Sequence, residues 1–367
     1  MPPVHESLID SPRPVETISP ICEIDPLKDS RWADFVEKHP QACAFHSPGW
    51  LKALKVSYRY NPFVLTTAQP GEILSDGLVL CRIRSWLTGP RIVSLPFSDH
   101  CNPLARDAAN LARLLKHVRR YIEAENWRYI ELRPLPNALP EMLWELRYAR
   151  NVAHVLHTLD LHPSIEEIFS GLHKNCVQRV IHRAEREQLT LEKGHSERLL
   201  RMFYSLTVLT RRRHGLLPQP ISWFRNLIDC MGDRVSIRVA MKEGRPIASI
   251  LTLSHSRTVT YKYGCSDAAY HRLGGMVLLL WRAIQDAKKS GAESFDCGRS
   301  DLDNPGLIAF KDHFGARSSQ LAYYRYPGYW NVGRTGIPGM KVARKVFPLL
   351  PDRFLAAAGA VLYRHLG

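Results

Sequence analysis

Short runs of alternating hydrophobic and polar residues occur along most of the chain, separated by stretches with helical periodicity. Strand-like runs appear in PFVLTTA, EILSDGLVLCRIRS and RIVSLPF in the first half, and in RVSIRVAM, PIASILTLS and TVTYKYG in the second. Helical periodicity follows in DAANLARLLKHVRRYIEAEN and in GMVLLLWRAIQDAKKSG, and each predicted helix leads into a short apolar run, WRYIELRP or ESFDCGRS. The same order of elements therefore occurs twice.

This repeat predicts the domain organisation. Aligning IELRP with FDCGR places Ile130 opposite Phe295, an offset of 165 residues (295 minus 130). We predict an α/β (α+β) fold of two tandem units, each with its own mostly antiparallel mixed sheet flanked by helices. The predicted boundaries are a disordered leader over residues 1–20, units over residues 21–162 and 163–328, and a basic amphipathic tail over residues 329–367.

Charge and cysteine usage limit the classes of partner and compartment. The 367 residues include 50 Lys and Arg against 35 Asp and Glu, a net charge of +15, which favours RNA, nucleotide phosphates or acidic lipids as partners. The eight cysteines form no C-x-x-C pair, and the N-terminal residues lack an apolar signal core, so we expect reduced thiols in a cytoplasmic protein. Metal-ligand spacing is absent, and we predict no metal site and no membrane-spanning segment.

The second repeat carries the most specific motif. RLGGMVLLLWRAIQDAKKSGAESFDCGRSD is followed by GLIAFKDHFGA. This order of helix, F-D-x-G and G-L-x-x-F-K-x-x-F-G-A resembles the FemAB-like branch of the GNAT acyltransferase superfamily, in which two GNAT-like units occur in tandem. The resemblance covers roughly residues 25–328 and is stronger in the second unit; RIVSLPFSDHCNPL is also similar to a FemAB-related subgroup found with surface-polysaccharide genes.

The resemblance implies an acyltransferase whose donor is an acyl-CoA or an aminoacyl-tRNA, neither of them tightly bound. We predict an N-acyltransferase that modifies an amino group of a cell-envelope or polysaccharide precursor, in the cytoplasm or peripherally at the inner face of the membrane. One alternative is an aminoacyl-tRNA-dependent FemAB-type ligase that extends a peptidoglycan peptide. A non-catalytic RNA-binding protein is a second alternative, which explains the charge but not the polar loop after Phe295.

The predicted donor site lies at the start of the second long helix. The family's phosphate-binding turn, Q/R-x-x-G-x-G/A, corresponds here to His271, Gly274 and Met276, so its first and third positions differ. Backbone N–H groups at a helix start favour an anion, and we assign donor binding to His271, Arg272, Gly274 and Gly275. The alternative is a tight turn into a core helix.

Two residues are predicted to be catalytic. Lys311 lies in a helical pattern beside Phe310 and Phe314, and we expect a partly solvated ammonium that stabilises the oxyanion or a donor phosphate. Asp296 alternates with Phe295 and Cys297, so its carboxylate is expected at a strand end, where it accepts the amine proton or orients the acceptor. Alternatively, Lys311 is a solvated surface residue and Asp296 forms a structural ion pair with Arg299.

The predicted substrate-binding residues are Arg299, Asp301, Tyr261 and Tyr263. Strand alternation places Tyr261 and Tyr263 on one face, where a phenol can serve as general acid, although both can equally be core residues. Asp301 can instead cap the following helix. The cysteines near this region, Cys265 and Cys297, are expected to be buried and unreactive.

Basic residues are concentrated in two further regions. Helical runs in the second unit carry Lys174, Arg179, Arg183 and Arg186, followed by Arg211 to Arg213. These residues indicate either a solvated helix face or a binding site for a polyanion such as tRNA. The segment 337–367 mixes basic and apolar residues. It is predicted to pack on its own domain and to make partial contact with an anionic membrane.

Overall fold

A computed structural model describes residues 20–136, 140–328 and 346–367. The predicted leader lies almost entirely outside the described residues. The first half contains the strands β1 (Cys22–Ile24), β2 (Asn61–Thr66), β3 (Leu78–Ile83), β4 (Arg91–Val93), β5 (Ile130–Leu132) and β6 (Ala149–Asp160). Its helices are α1 (Ser30–Lys38), α2 (Pro48–Tyr58), α3 (Ala108–Ala124) and α4 (Pro140–Glu145).

The second half repeats this order of strands. Its strands are β7 (Thr190–Gly194), β8 (Val235–Lys242), β9 (Arg245–His255), β10 (Thr258–Ser266), β11 (Ser294–Asp301) and β12 (Arg317–Tyr326). Its helices are α5 (Ile165–Ser170), α6 (Arg179–Arg186), α7 (Glu197–Arg213), α8 (Ile221–Met231), α9 (Gly275–Lys289) and α10 (Pro305–Asp312). A C-terminal helix, α11, spans Asp352–Leu362.

All of these strands form one sheet, in the order β1-β2-β3-β4-β5-β12-β6-β11-β10-β9-β8-β7. The order is symmetric: replacing each strand by its counterpart six places along the chain gives the same order reversed. The predicted mixed, mostly antiparallel arrangement is confirmed, with parallel pairs only at β4–β5 and β10–β11 among the described strands.

The expectation of a separate sheet for each half is wrong. Each half gives its last strand to the other, so that β12 pairs with β5 while β6 pairs with β11. The two exchanged strands also pair with each other, from Arg317 opposite Thr158 to Arg325 opposite Ala149. The local sequence pattern does not specify this exchange, because the final strand of either unit can pair with the same edge strand. The domain boundary near residue 162 stays a prediction.

Helices cover both faces of the sheet and bury two main cores, one shared by both halves and one in the second half. On one face, α7 and α8 pack against α2 of the first half around Trp50, Phe203 and Trp223, each of them fully buried. On the other face, α6 and α9 pack around Leu280 and Ile284. Helix α3 covers the sheet of the first half, as its periodicity predicts.

The described part of the C-terminal segment packs on the protein, as predicted, but it contacts both halves and not one domain alone. Leu355 of α11 is buried against Val208 and Leu217 of the second half. The ring of His365 lies 2.9 Å from Ser85 Oγ of the first half, measured from its Nδ1. Among the described residues, no helix is long and apolar enough to cross a membrane.

Candidate active site

A cleft opens in the second half where β10 and β11 separate. The parallel pairing of these strands ends at Thr260 opposite Asp296, although both strands continue. The space between them has a volume of about 930 Å³. Residues of β10, the start of α9, α6 and α10 line it, among them Arg183, Tyr261, Lys262 and Phe310.

The equivalent gap in the first half is closed by the loop that follows β4. Within this loop, Cys101 N–H donates to Arg133 O at 2.6 Å, just beyond the end of β5. The guanidinium of Arg133 donates to the carbonyls of Leu95 and Ser98, at 3.0 and 3.1 Å. The same loop continues through Asp99 and His100, which reach across to the second half. The first half therefore has a loop where the second half has a cleft.

Asp99 forms a buried ion pair with Lys262 on the floor of the cleft. The distance from Lys262 Nζ to Asp99 Oδ1 is 2.8 Å, and the two side chains are 6% and 10% exposed. Burial alone would raise the pKa of Asp99, but the charges of Lys262 and Arg299 outweigh it and lower that pKa. Burial lowers the pKa of Lys262, and Asp99 only partly offsets this effect.

His100 binds the predicted catalytic carboxylate. Its Nε2 lies 2.8 Å from Asp296 Oδ2, and the other oxygen of Asp296 accepts the Gly298 N–H at 2.7 Å. Burial disfavours the imidazolium, yet the hydrogen bond to Asp296 raises the pKa of His100 well above its usual value. Both oxygens of Asp296 are thus engaged. The suggested Asp296–Arg299 ion pair is replaced by the pair with His100.

Lys311 is buried, which corrects the expected partial solvation. It is 2% exposed, and its Nζ donates to the carbonyl oxygens of Gly298 and Arg299, at 2.8 and 2.9 Å. These carbonyls belong to an irregular section of β11, where the register to β6 shifts between Asp296 and Arg299. Burial lowers the pKa of Lys311. Its ammonium therefore supports the β11 bulge from behind the cleft.

Tyr261 and Tyr263 lie on opposite faces of the sheet, so the prediction of a shared face is wrong. A β-bulge between them breaks the alternation. Tyr261 packs with the α6–α9 core, and burial raises its pKa. Tyr263 packs on Phe224 of the other core and accepts a hydrogen bond from Trp223 Nε1 at 3.1 Å. Both residues line the cleft.

The predicted donor turn lies at the rim of the cleft. A short 3₁₀ helix, Ala268–Leu273, ends at Gly274 with φ +75°, and α9 begins at Gly275. The first N–H groups of α9 have no acceptor within the helix, and Gly275 lines the cleft. His271 lines it too, with Nε2 2.8 Å from Ser266 Oγ, whereas Arg272 is exposed and outside the lining.

The remaining predicted residues take different positions. Asp301 lines the mouth of the cleft and lies 2.8 Å from His154 Nδ1. Asn304, and not an aspartate, caps α10 by accepting the Leu307 N–H at 3.2 Å. Arg299 lies behind the cleft, where its guanidinium donates to Tyr323 OH at 2.6 Å.

The two cysteines of this region have the expected inert environment. Cys265 and Cys297 are 3% and 1% exposed. Burial raises the pKa of each thiol to about 12, so neither is a thiolate near neutral pH.

Sequence reasoning missed the contribution of the first half. Asp99, His100 and Lys262 received no role, and neither did Tyr323, whose hydroxyl donates to the Asp99 carbonyl at 2.7 Å. The available signal was the polar S-D-H sequence at the end of a predicted strand, where functional residues often lie. Their pairing was hidden by the sequence separation of 163 between Asp99 and Lys262.

Gly298 provides a test of this arrangement. Its φ is +70°, and a Cβ there would lie 3.0 Å from both Asp99 Oδ2 and Tyr261 O. We expect Gly298→Ala to cost about 2–4 kcal/mol and to loosen the Asp99 loop, because backbone strain and steric overlap add. Gly306→Ala is the control, since beyond its chain neighbours and its own helix backbone the nearest atom lies 4.0 Å from the added Cβ. Urea unfolding measures the loss of stability, and hydrogen exchange of residues 94–101 measures the loosening of the loop. Equal stability and equal exchange in the two variants would contradict the arrangement.

Comparisons with known proteins agree with this geometry. Residues 173–312 match the family model described as an acetyltransferase (GNAT) domain. No curated protein matches the chain in sequence. The structure of FemX superposes with a TM-score of 0.65 at 15% identity, covering 81% of this chain and 95% of FemX.

Two other structures share the fold. A tandem GNAT protein from the clavulanic acid biosynthesis pathway has a TM-score of 0.53 at 11% identity, covering 83% of this chain and 97% of its own. The C-terminal domain of a putative lysylphosphatidylglycerol synthetase from Agrobacterium fabrum has a TM-score of 0.54 at 13% identity, covering 81% and 90%. Residues 173–312 are thus similar to a GNAT acetyltransferase domain, and the chain as a whole shares the fold of FemX and of the tandem GNAT protein.

Proposed function

We propose that the chain is an N-acyltransferase that uses an acyl-CoA-type donor to acylate an amino group of a cell-envelope or polysaccharide precursor. The observation that carries this proposal is the cleft between β10 and β11, which combines a helix start at its rim with the Asp99–Lys262 pair on its floor. A helix N-terminus favours donor phosphates, and a buried cation favours the negative charge that develops on the attacked carbonyl.

The reaction follows from the residues that line the cleft. The acceptor amine forms a bond to the donor carbonyl carbon, and the resulting oxyanion is stabilised by Lys262, which Asp99 holds in place. The carbon–sulfur bond then breaks, the Tyr261 phenol gives its proton to the leaving thiolate, and the phenolate takes up the second proton that the acceptor nitrogen loses on becoming an amide. Burial keeps this phenol protonated until that step, because it raises the pKa of Tyr261.

The acceptor is proposed to enter at the end of the cleft formed by Asp301 and Asp303. Both carboxylates line this mouth, and an ammonium group is attracted to them. Asp301 is the more exposed partner of its pair with His154, with its side chain 59% exposed, so it can receive a proton and release it to solvent. Bound acceptor then reaches Lys262 from the side opposite the donor phosphates.

Lys311 and Asp296 are proposed to act as positioning residues. Neither lines the cleft, but Lys311 fixes the β11 bulge and Asp296 holds His100 beside Asp99. Displacing either group moves the loop that supports Lys262. A catalytic contribution of both residues is therefore expected without direct contact with the donor.

An aminoacyl-tRNA donor is the second candidate, favoured by two observations. Met276 occupies the position where the coenzyme A-binding turn has a small residue, and its sulfur lies 4.0 Å from Tyr261 OH at the cleft. Arginines from α6 and α7, namely Arg183, Arg211 and Arg213, line one side of the cleft, where a polynucleotide would find positive charge. Comparing the binding of CoA thioesters with the binding of charged tRNA distinguishes the two candidate donors.

Peripheral membrane contact is also proposed, through the C-terminal segment. Leu349, Phe354 and Val361 are 81%, 54% and 64% exposed, although α11, which carries the last two, packs on the protein through Leu355. Arg353 and Arg364 are exposed on the same segment. Exposed apolar groups beside cations are typical of a surface that lies on anionic lipid.

The donor prediction uses one arginine of the cleft. We expect acyl-CoA to raise the melting temperature, and Arg183→Gln to weaken its binding about 10-fold, because one charge-assisted contact to phosphate is lost. Arg186→Gln, on the same helix but outside the lining, is the control and should bind normally. Calorimetric titration measures both variants. Charged tRNA binding in place of every CoA thioester would establish the second candidate.

The buried position of Lys311 changes the expected effect of its substitution on stability. We expect Lys311→Met to lower turnover about 10²-fold, because the β11 bulge beside the Asp99 loop would shift and a small misplacement of reacting groups costs about this much. It should also cost about 3 kcal/mol of stability, since two buried carbonyls lose their donor. Turnover is normalised to folded protein and compared with Gly298→Ala. Unchanged stability would contradict the buried position, and unchanged turnover per folded molecule would end the catalytic contribution.

Two variants separate lipid contact through the C-terminal segment from non-specific adsorption to vesicles. Phe354→Ser should weaken binding to vesicles containing phosphatidylglycerol about 10-fold, because a large apolar side chain no longer enters the interface. Ile73→Ser is the control, since Ile73 is 92% exposed in the first half, away from this segment. Vesicle sedimentation measures both; equal losses, or no binding by the unaltered protein, refute the contact.

A further inference from the structure

Three side chains of types that bind transition metals meet on the surface of the second half. They are His173, Cys176 and His313, and one potential ligand atom of each lies within 4.8 Å of the other two. His173 and Cys176 are exposed, and His313 is partly exposed. None of these residues takes part in the proposed acyl transfer. The sequence analysis predicted no metal site, because His313 is far from the other two residues in sequence.

The backbone holds the three residues together without a ligand. The N–H of His173 donates to the carbonyl oxygen of His313 at 2.8 Å, which joins the two segments directly. Cys176 lies in a π-helical turn, Lys174–Gln178, a conformation often found at functional sites. The side chain of Gln178 fixes the preceding loop by donating to Leu172 O at 2.8 Å and to Phe169 O at 3.0 Å. The site is therefore largely preformed.

The ligand set selects the class of metal. Two imidazoles and one thiolate are typical ligands of Zn²⁺, whereas Mg²⁺ and Ca²⁺ prefer oxygen. We propose that His173, Cys176 and His313 bind a zinc ion, with water in the fourth position on the exposed side. Binding deprotonates the thiol of Cys176, and this proton is released to solvent.

Zinc binding would alter two existing hydrogen bonds of His173. Nδ1 of His173 accepts hydrogen bonds from Asn175 N and Cys176 N, at 3.3 and 3.2 Å. Coordination through Nδ1 replaces these bonds, and coordination through Nε2 moves the ring proton onto Nδ1. In both cases two long hydrogen bonds are exchanged for a bond to the metal. His173 is consequently the ligand whose replacement affects local structure as well as binding.

The proposed zinc ion lies between two elements that line the cleft. Helix α6 begins directly after the turn that contains Cys176, and it lines the cleft through Val180 and Arg183. His313 follows α10, which lines the opposite side through Leu307 and Phe310. An ion at this position ties two walls of the cleft to each other, outside the region where chemistry is proposed.

Co²⁺ is the direct probe, because its absorption reports thiolate coordination and tetrahedral geometry. Full-length protein without a histidine tag is first reduced and freed of metal with a chelator. Addition of Co²⁺ should then give a thiolate-to-cobalt absorption band, and one equivalent of Zn²⁺ should abolish it. Cys176→Ser should remove the band, and His313→Gln should weaken binding at least about 10-fold. The controls are Cys230→Ser and His195→Gln, which alter a partly exposed thiol and an exposed imidazole elsewhere. Both controls should behave as the unaltered protein.

Thermal unfolding provides a readout that does not depend on cobalt or on acyl transfer. Zn²⁺ at 100 times its Kd should raise the melting temperature by about 5 °C, and Mg²⁺ should not. His173→Asn retains a capping acceptor and should lose the zinc effect while unfolding normally without metal. A cobalt spectrum unchanged by Cys176→Ser, or an equal zinc effect in Cys176→Ser and Cys230→Ser, would overturn the proposal.

Discussion

The exchange of β6 and β12 between the halves is the constraint on which the rest of the structure depends. Neither half can complete its own sheet, since β5 pairs with a strand of the second half and β11 with a strand of the first. This pairing brings the loop after β4 against the end of β11. Asp99 and His100 can therefore reach Lys262 and Asp296. The cleft and its charged floor follow from the order of strands at the centre of the sheet.

Buried charge in this region is balanced by partners from both halves. Removing a single partner would leave a charged group without compensation in a medium of low polarity, which costs several times more than losing a surface pair. Asp99 is compensated by Lys262 and Arg299, and Asp296 by His100. Tyr323 adds a neutral contact, because its ring lies beside the guanidiniums of Arg133 and Arg299. The network is thus a condition for folding of the junction between the halves.

Local patterns predicted the elements, and long-range contacts decided their use. Helical spacing identified α3 and α9, and the repeat at the offset between Ile130 and Phe295 identified the duplication. Alternation failed at Tyr261 and Tyr263, where one bulge moved them to opposite faces. Burial of Lys311 was equally invisible, because its partners are backbone carbonyls whose positions depend on the register shift in β11. Tyr261 and Tyr263 on β10 were predicted, whereas Lys262 between them and the residues supplied across the junction were not.

The loop that closes the gap between β4 and β5 separates two tasks that a single unit would have to combine. The second copy keeps an open gap for a ligand, and the first copy fills the corresponding gap with Arg133 and uses the same loop to support its neighbour. Engineering of this enzyme can exploit that division. Changes to the rim around α9 act on the proposed donor site, while changes to residues 94–98 act on the support beneath the cleft, so each can be varied in a separate library.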